Sequence, residues 1–536
     1  MKMTFARQLQ LLHSLIFQFD EQVTPQKLQV LMNLSSLSWK TSAEIISYQE
    51  ILLFMLSHPD DRRILNACRN EIKRITTACK TKNSADDNDS GLPYTNLQTR
   101  FSPDLMAWLA TQTDCRLDVD SFEEEGTSLN EILRLTLPAV ERDETTAGLD
   151  NSSLLDALSM KPSQQVAFLL DQFQQFDTHP LTKDFLWESM KGFFTIRSLK
   201  PSFSRLENRI AVPAIYFHTS LLKRFDAEAL LQMPLPSPVR LDDNMMAQVC
   251  RVIRYSLALT LRETDPSTFM EPSSLRLYHL ERGISVALYG MKANRQLSLQ
   301  SYIGYTLFKN GYPLAYGGSW IFGQRANFGL NIFEAFRGGE SGYVMCQLLR
   351  TYIHAFQLTH VEVEPYQYGL DNPDGIASGA FWFYYKYGFR PVDEHLNTLA
   401  TKEFRKIQSQ AGYRSSEKTL LRFTESNIEL HRDTTSTPPF DQVVGKISRL
   451  IRTSFKGQRQ LALQTSREQL QQRLTKLKSV TAMQSYALDD VSLLSAALTL
   501  NDERYLSLLH EMIKTKATNP YRYNQLLVAL FRADSF

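Results

Sequence analysis

The sequence predicts an α+β protein: a central mixed, largely antiparallel sheet with packed helices, flanked by N- and C-terminal all-α domains. Three observations carry this. Up to about Thr264 apolar residues recur at helical spacing, from Leu275 they alternate, and beyond Pro439 the helical spacing returns. At 536 residues the chain has room for about three domains. The breaks in pattern set them at 1–265, 266–432 and 433–536.

The first segment reads as amphipathic helices near Phe5–Phe19, Ala43–Leu56, Arg62–Cys79, Leu129–Leu135, Gln164–Phe176 and Met245–Leu261. Pro59-Asp60-Asp61 ahead of Arg62 is a helix-start signal. Residues 81–99 and 141–153 are polar and poor in large apolar side chains, so they are expected as loops or linkers. Leu235-Pro-Ser-Pro238 and Asp265 to Pro272 mark connections.

In the central segment Leu275–Leu280 alternates as a strand would, and Gly283–Met291 is expected to be a short helix. Ser301–Phe308 and Tyr312–Ile321 flank Asn310-Gly311, two residues that accept the positive φ of a type I′ hairpin turn. An apolar run, Phe328–Phe336, then enters the turn Arg337-Gly338-Gly339-Glu340-Ser341-Gly342. The helix that follows, Tyr343–Phe356, places Met345, Leu348, Leu349, Tyr352, Ile353 and Phe356 on one face. His360–Pro365 alternates as a strand, 366–375 is a loop, and Ala377–Phe389 is a second helix that Gly388 can end. An edge strand at Arg390–Val392, a helix at Leu399–Ser409 and a strand at Thr419–Phe423 complete the region.

The turn before Tyr343 has the chemistry of an anion site. The first N–H groups of a helix lack internal partners and its dipole adds positive charge there, so a phosphate is favoured. Glycines let such a ligand approach the backbone, although they also serve ordinary tight turns.

Arg337-Gly338-x-x-x-Gly342, a helix, a strand, and then Ala380-x-x-Phe383-Tyr384-x-Lys386-x-Gly388-Phe389 resemble the GNAT superfamily of acyl-CoA-dependent N-acyltransferases over about 150 residues, Ser274 to Phe423. The resemblance implies a transferase moving an acyl group from acyl-CoA, or a related thioester, to an amine on a small molecule or protein. It implies coenzyme A pyrophosphate held by Arg337, Gly338, Gly339, Glu340, Ser341 and Gly342, and Tyr384 protonating the leaving thiolate. Two positions depart from the family pattern. Glu340 stands where glycine is usual, and its carboxylate either occupies the helix start or points away. Ala377 replaces an asparagine. Acyl transfer to an amine also needs a base; Glu334, three residues before Arg337, and Glu362 and Glu364, on one face of the next strand, are the candidates. Two alternatives accompany the transferase reading: an aminoacyl-tRNA-dependent transferase of related fold, and a catalytically silent scaffold with Glu340 closing the phosphate site.

With 43% hydrophobic and 22% charged residues the composition is that of a globular protein, and a net charge of +2 gives no whole-chain argument for nucleic acid. Locally the balance shifts: residues 441–480 carry nine basic side chains, Lys446 to Lys478, against Asp441 and Glu468. This run is either a solvated helix face or a surface for RNA, an acyl carrier protein or an anionic membrane face. The five cysteines are scattered without a C-x-x-C pair, which suits reduced thiols in a cytoplasm. The N-terminus lacks signal-peptide architecture, and no apolar stretch approaches the roughly 20 residues of a membrane span. Histidines show neither H-x-x-x-H nor H-E-x-x-H spacing, so no metal site is predicted. There is no serine nucleophile elbow and no Walker-type phosphate loop.

Overall fold

Strand pairing in the computed structural model, which describes residues 4–81, 85–145, 148–157, 160–434, 437–474 and 482–533, gives a mixed α+β architecture with two sheets. The smaller is antiparallel and contains β1 (Asn96–Thr99), β2 (Cys115–Phe122) and β3 (Gly192–Ser198) in the order β1-β3-β2. The larger comprises β4 (Arg276–His279), β5 (Ile284–Tyr289), β6 (Ser301–Lys309), β7 (Tyr312–Phe322), β8 (Arg325–Phe328), β9 (Asn331–Ile332), β10 (His360–Val363), β11 (Arg390–Pro391) and β12 (Ile428–His431). Its order is β4-β5-β6-β7-β8-β10-β12-β11, with β9 pairing to β7.

Every pair in the large sheet is antiparallel except β8–β10. A parallel neighbour requires a crossover, which the Ser341–Phe356 helix provides. Its Met345, Leu348, Leu349, Tyr352, Ile353 and Phe356 are all buried, and Gln357 ends it in the left-handed conformation at φ 58°. The Asn-Gly hairpin also forms, with Asn310 at φ 47° and Gly311 at φ 88°.

Several segments differ from the sequence reading. Gly283–Met291 contains β5 rather than a helix. All six β5 residues are buried, so the strand has no polar face and no alternation to reveal it. The N-terminal half carries the three-stranded sheet as well as helices, and β1 lies at the end of the 81–99 stretch. The 141–153 stretch contains parts of two short helices, Ala139–Thr145 and Asn151–Ala157. Thr419–Phe423 belongs to the helix Glu417–Phe423. The expected Ala377–Phe389 helix is two helices, Pro373–Ser378 and Ala380–Lys386, parted by Gly379 at φ 67°. The Phe328–Phe336 run is broken into the end of β8, the short β9 and a 3-10 turn, Glu334–Phe336, so Glu334 does not lie on a strand.

The first four helices do not form a separate core. Leu12, Leu34, Tyr48 and Ile64 pack into the same cluster as Ile303 and Leu307 of β6, Met345 of the crossover helix and Val363 of β10. The C-terminal helices build a second cluster around Leu488, Val491, Leu509 and Leu527, which Leu299 and Phe322 of the central region enter. Among the described residues no helix is long and apolar enough to cross a membrane.

Asn310 joins the hairpin to the helical layer. Its Oδ1 accepts from Tyr216 N–H at 2.8 Å, and its Nδ2 donates to Ser57 O at 2.8 Å and Tyr216 O at 2.9 Å. Asn310→Ala therefore removes three hydrogen bonds at a fully buried, positive-φ residue, and is expected to lower unfolding free energy by about 2–4 kcal/mol in a urea titration.

Candidate functional site

The 337–342 turn starts from the 3-10 segment and passes through Gly338 at φ 80°. Arg337 and Gly338 are exposed, Gly339 and Glu340 are buried, and Ser341 and Gly342 are half-buried. Glu340 occupies the N-cap position of the Ser341–Phe356 helix, yet its side chain makes no capping hydrogen bond. The carboxylate is turned into the protein instead. Lys309 Nζ lies 2.6 Å from its Oε2, Arg282 donates to Oε1 at 2.6 Å, and Leu222 N–H donates to Oε1 at 2.7 Å.

This cluster is enclosed. The side chains of Lys309, Glu340 and His218 have no solvent exposure, and Arg282, itself in the left-handed conformation at φ 58°, is 17% exposed. Arg282 also donates to Tyr216 Oη and to Ser220 O, both at 2.8 Å. Burial pushes the Lys309 ammonium down to about 8 although Glu340 pulls it upward. Burial likewise opposes the Glu340 charge, but Lys309, Leu222 N–H and Arg282 outweigh it and hold the carboxyl below its ordinary range. His58 and His218 lie 4.9 Å apart between ring centroids, and His218 Nε2 is 3.9 Å from the carboxylate. Burial first, and then the Lys309 charge, push His218 down to about 3 and His58 well below the usual imidazole range. His58, His218 and Glu340 are close enough to ligate a cation. Lys309 and Arg282 already neutralise the carboxylate, however, and would repel a metal ion.

The glycines of the turn are explained partly by packing within the chain. A Cβ on Gly342 would sit 1.8 Å from Tyr387 Oη, and one on Gly339 would sit 3.3 Å from Phe54 Cε2. Tyr387 stacks on Phe225, with ring centroids 5.8 Å apart, and burial pushes its phenol up to about 12, so it remains a proton donor. Phe54 meets Phe17 edge to face. Beside the turn a cleft of about 550 Å³ opens between the Phe5–Leu15 and Ser42–Ser57 helices, with His13, Phe17, Glu44, Glu334 and Arg337 in its walls.

The remaining predicted residues are spread out. Glu334 is 54% exposed, receives Arg262 at 2.8 Å and lies 3.8 Å from Arg337; despite partial burial these two guanidinium groups hold its carboxyl low. Glu362 lies in β10, whereas Glu364 stands just past its end, at the start of the Pro365–Tyr368 turn. Glu362 accepts from Asn427, and Glu364 accepts from Asn327 Nδ2 at 2.9 Å. Tyr384 is 3% exposed, with the Leu330 backbone as its hydrogen-bond partner and its pKa raised by burial. Among the described residues no hydrogen bond or ion pair connects Tyr384, Glu362 or Glu364 to the turn. In the basic segment Arg449, Arg452, Lys456 and Arg459 are exposed, whereas Arg467 pairs with Asp489 and Arg473 donates to Leu500 O. Lys476 and Lys478 lie outside the described residues.

The sequence reading missed Lys309, Arg282, His218 and His58 because four separate segments supply them. The available signal was Lys309 closing an otherwise apolar strand, which reads as an exposed hairpin lysine. It also missed a cavity of about 780 Å³ bounded by Asp371, Asn372, Ile376, Trp382, Tyr413 and Arg414. Comparison with protein-family models, curated proteins and solved structures finds no match to this chain.

Two predictions follow from the buried cluster. Glu340→Gln leaves Lys309 without its counter-charge and is expected to cost about 3–5 kcal/mol in a denaturant titration, part of which Lys309→Met restores in the double variant. Both histidines have folded-state pKa values below their unfolded values, so the unfolded chain takes up protons first as pH falls. Stability is then full above about pH 6.5 and declines below it, by roughly 2 kcal/mol per histidine between pH 7 and pH 5. His218→Phe should remove one such share when unfolding free energy is measured across that range.

Proposed function

We propose that the central region is an N-acyltransferase domain that seats the pyrophosphate of acyl-CoA, or the equivalent anion of a related thioester, at the 337–342 turn. The observation that carries this reading is the direction of Glu340: its carboxylate is held by Lys309, Arg282 and Leu222 N–H, so the helix start keeps its positive end without an internal anion. Arg337 stands exposed beside that end and can meet a phosphate. The adjacent cleft gives space for the rest of the donor or for the amine.

In such a reaction the amine nitrogen bonds to the acyl carbon, the carbon–sulfur bond breaks, a base takes the amine proton and the thiolate gains one. Holding the two reactants together supplies much of the acceleration. Glu334, ionised and on the wall of the cleft, is the best-placed base of the three carboxylates. The enclosure of Tyr384 supports packing more than proton transfer. Together with Tyr387 lying over Gly342, it favours a second reading, an acyltransferase-like scaffold without activity. The five cysteines are all buried and free, which supports a reducing compartment such as the cytoplasm as part of this proposal.

Calorimetric titration with acetyl-CoA and a longer acyl-CoA tests the proposal. Wild type is expected to bind, and Arg337→Ala, at an exposed position, to bind roughly tenfold more weakly. No binding of either thioester removes the transferase reading in favour of the scaffold. Glu340→Gly is a poor probe, since it leaves Lys309 unpaired and tests stability instead. If turnover on an amine is found, an unchanged rate in Tyr384→Phe assigns that tyrosine to the core.

A further inference from the structure

Strands β10 and β12 bring together two histidines and a carboxylate that the sequence separates by about seventy residues. In the antiparallel register His360 stands opposite His431, and Glu429, two residues before His431, projects from the same face. His431 Nε2 lies 2.7 Å from Glu429 Oε2, His360 Nε2 lies 3.4 Å from Glu429 Oε1, and the two Nδ1 atoms are 3.3 Å apart. The rings are nearly perpendicular, at 79° with centroids 4.4 Å apart.

The arrangement leaves His360 Nε2 without a well-formed hydrogen bond. The side chain is only 4% exposed, its Nδ1 meets His431, and the contact of Nε2 with the Glu429 oxygen is long, at 3.4 Å. A buried ring nitrogen without a partner carries a desolvation cost that native structures rarely leave uncompensated. A cation between the three groups would give that nitrogen a partner. Zinc bonds to imidazole nitrogen and carboxylate oxygen at about 2.0–2.2 Å, which puts tetrahedral ligand atoms roughly 3.3 Å from one another. The two Nε2–carboxylate separations, 2.7 and 3.4 Å, bracket this value, and one ligand atom from each residue falls within 4.8 Å of the others.

We propose that His360, His431 and Glu429 form a binding site for one divalent transition-metal ion of the zinc class, with a fourth coordination position open to solvent. Two imidazoles and one carboxylate suit zinc, cobalt, nickel or copper better than magnesium or calcium, which take oxygen ligands. His431 is 60% exposed, so the ion enters from solvent without opening the core. The charge balance also permits it. Glu362 faces Glu429 across the strands, giving two carboxylates, beside Arg325, whose Nε is held by Thr437 O at 2.8 Å, and Arg390, opposite Glu429 on β11. The bound ion would clasp β10 to β12, joining the strand after the crossover helix to the last strand of the sheet.

The test uses the full chain and metal salts alone. Calorimetry with zinc chloride should show one site in wild type, weakened at least roughly tenfold in both His431→Asn and Glu429→Gln, each at a position with solvent access that leaves the apolar core intact. Cobalt(II) should give the intense visible absorption of a tetrahedral site in wild type and lose it in the variants. Zinc should raise the melting temperature of wild type and not of His431→Asn. Equal zinc affinity in wild type and both variants, or a cobalt spectrum that the substitutions leave unchanged, overturns the proposal and leaves the three side chains as a hydrogen-bonded surface cluster.

Discussion

The buried pairing of Glu340 with Lys309 and Arg282 is the constraint on which the centre of the molecule depends. Removing three charges from water is costly, and the cost is offset only when every charge meets a partner in good geometry. Here the carboxylate receives Lys309, Arg282 and Leu222 N–H. The interaction therefore fixes the relative positions of four segments: the end of β6, the turn before β5, the 218–222 stretch and the start of the crossover helix. Asn310, next to Lys309, extends the same junction to Ser57 and Tyr216.

That junction also determines the chemistry available at the helix start. A glutamate at the N-cap position can in principle bond its own first turn and neutralise the dipole. Two cations behind it draw the carboxylate the other way, and the first-turn amides are left to other partners. The neighbouring glycines then have a double use: Gly338 adopts a positive φ that side chains disfavour, whereas Gly342 makes room for the Tyr387 phenol. The N-terminal helices share the sheet's core and form the wall of the cleft beside Arg337, so they are part of the candidate site rather than an appendage to it.

Legibility in the sequence followed from how strongly each element's periodicity or backbone preference is written in the local order of residues. The crossover helix was visible because its apolar residues recur at three- and four-residue intervals, and the hairpin because Asn-Gly has a specific backbone preference. Strand β5 was hidden because both its faces are covered, and the single helix expected at 377–389 was interrupted because Gly379 takes a left-handed conformation in its interior. The glycine turn was recognised from spacing alone. Lys309, Arg282 and His218 were not, since nothing local distinguishes a lysine beside a hairpin turn on the surface from one sealed under a helical layer. His360 and Glu429-x-His431 were equally silent: strand register, not sequence proximity, makes them neighbours.

By itself the sequence determined the α+β class, the change from helical to alternating pattern near Leu275, the hairpin at Asn310-Gly311 and the glycine turn before a buried helix. These depend on local backbone preference and on periodicity, which a single chain carries in its order of residues. Only the tertiary structure decided the direction of the Glu340 carboxylate, the enclosure of Tyr384, the packing of Tyr387 on Gly342 and the meeting of His360 with His431. Each of those depends on which distant groups share a low-dielectric space, and the strength and sign of an electrostatic or packing interaction are set there by neighbours that the linear chain does not place side by side.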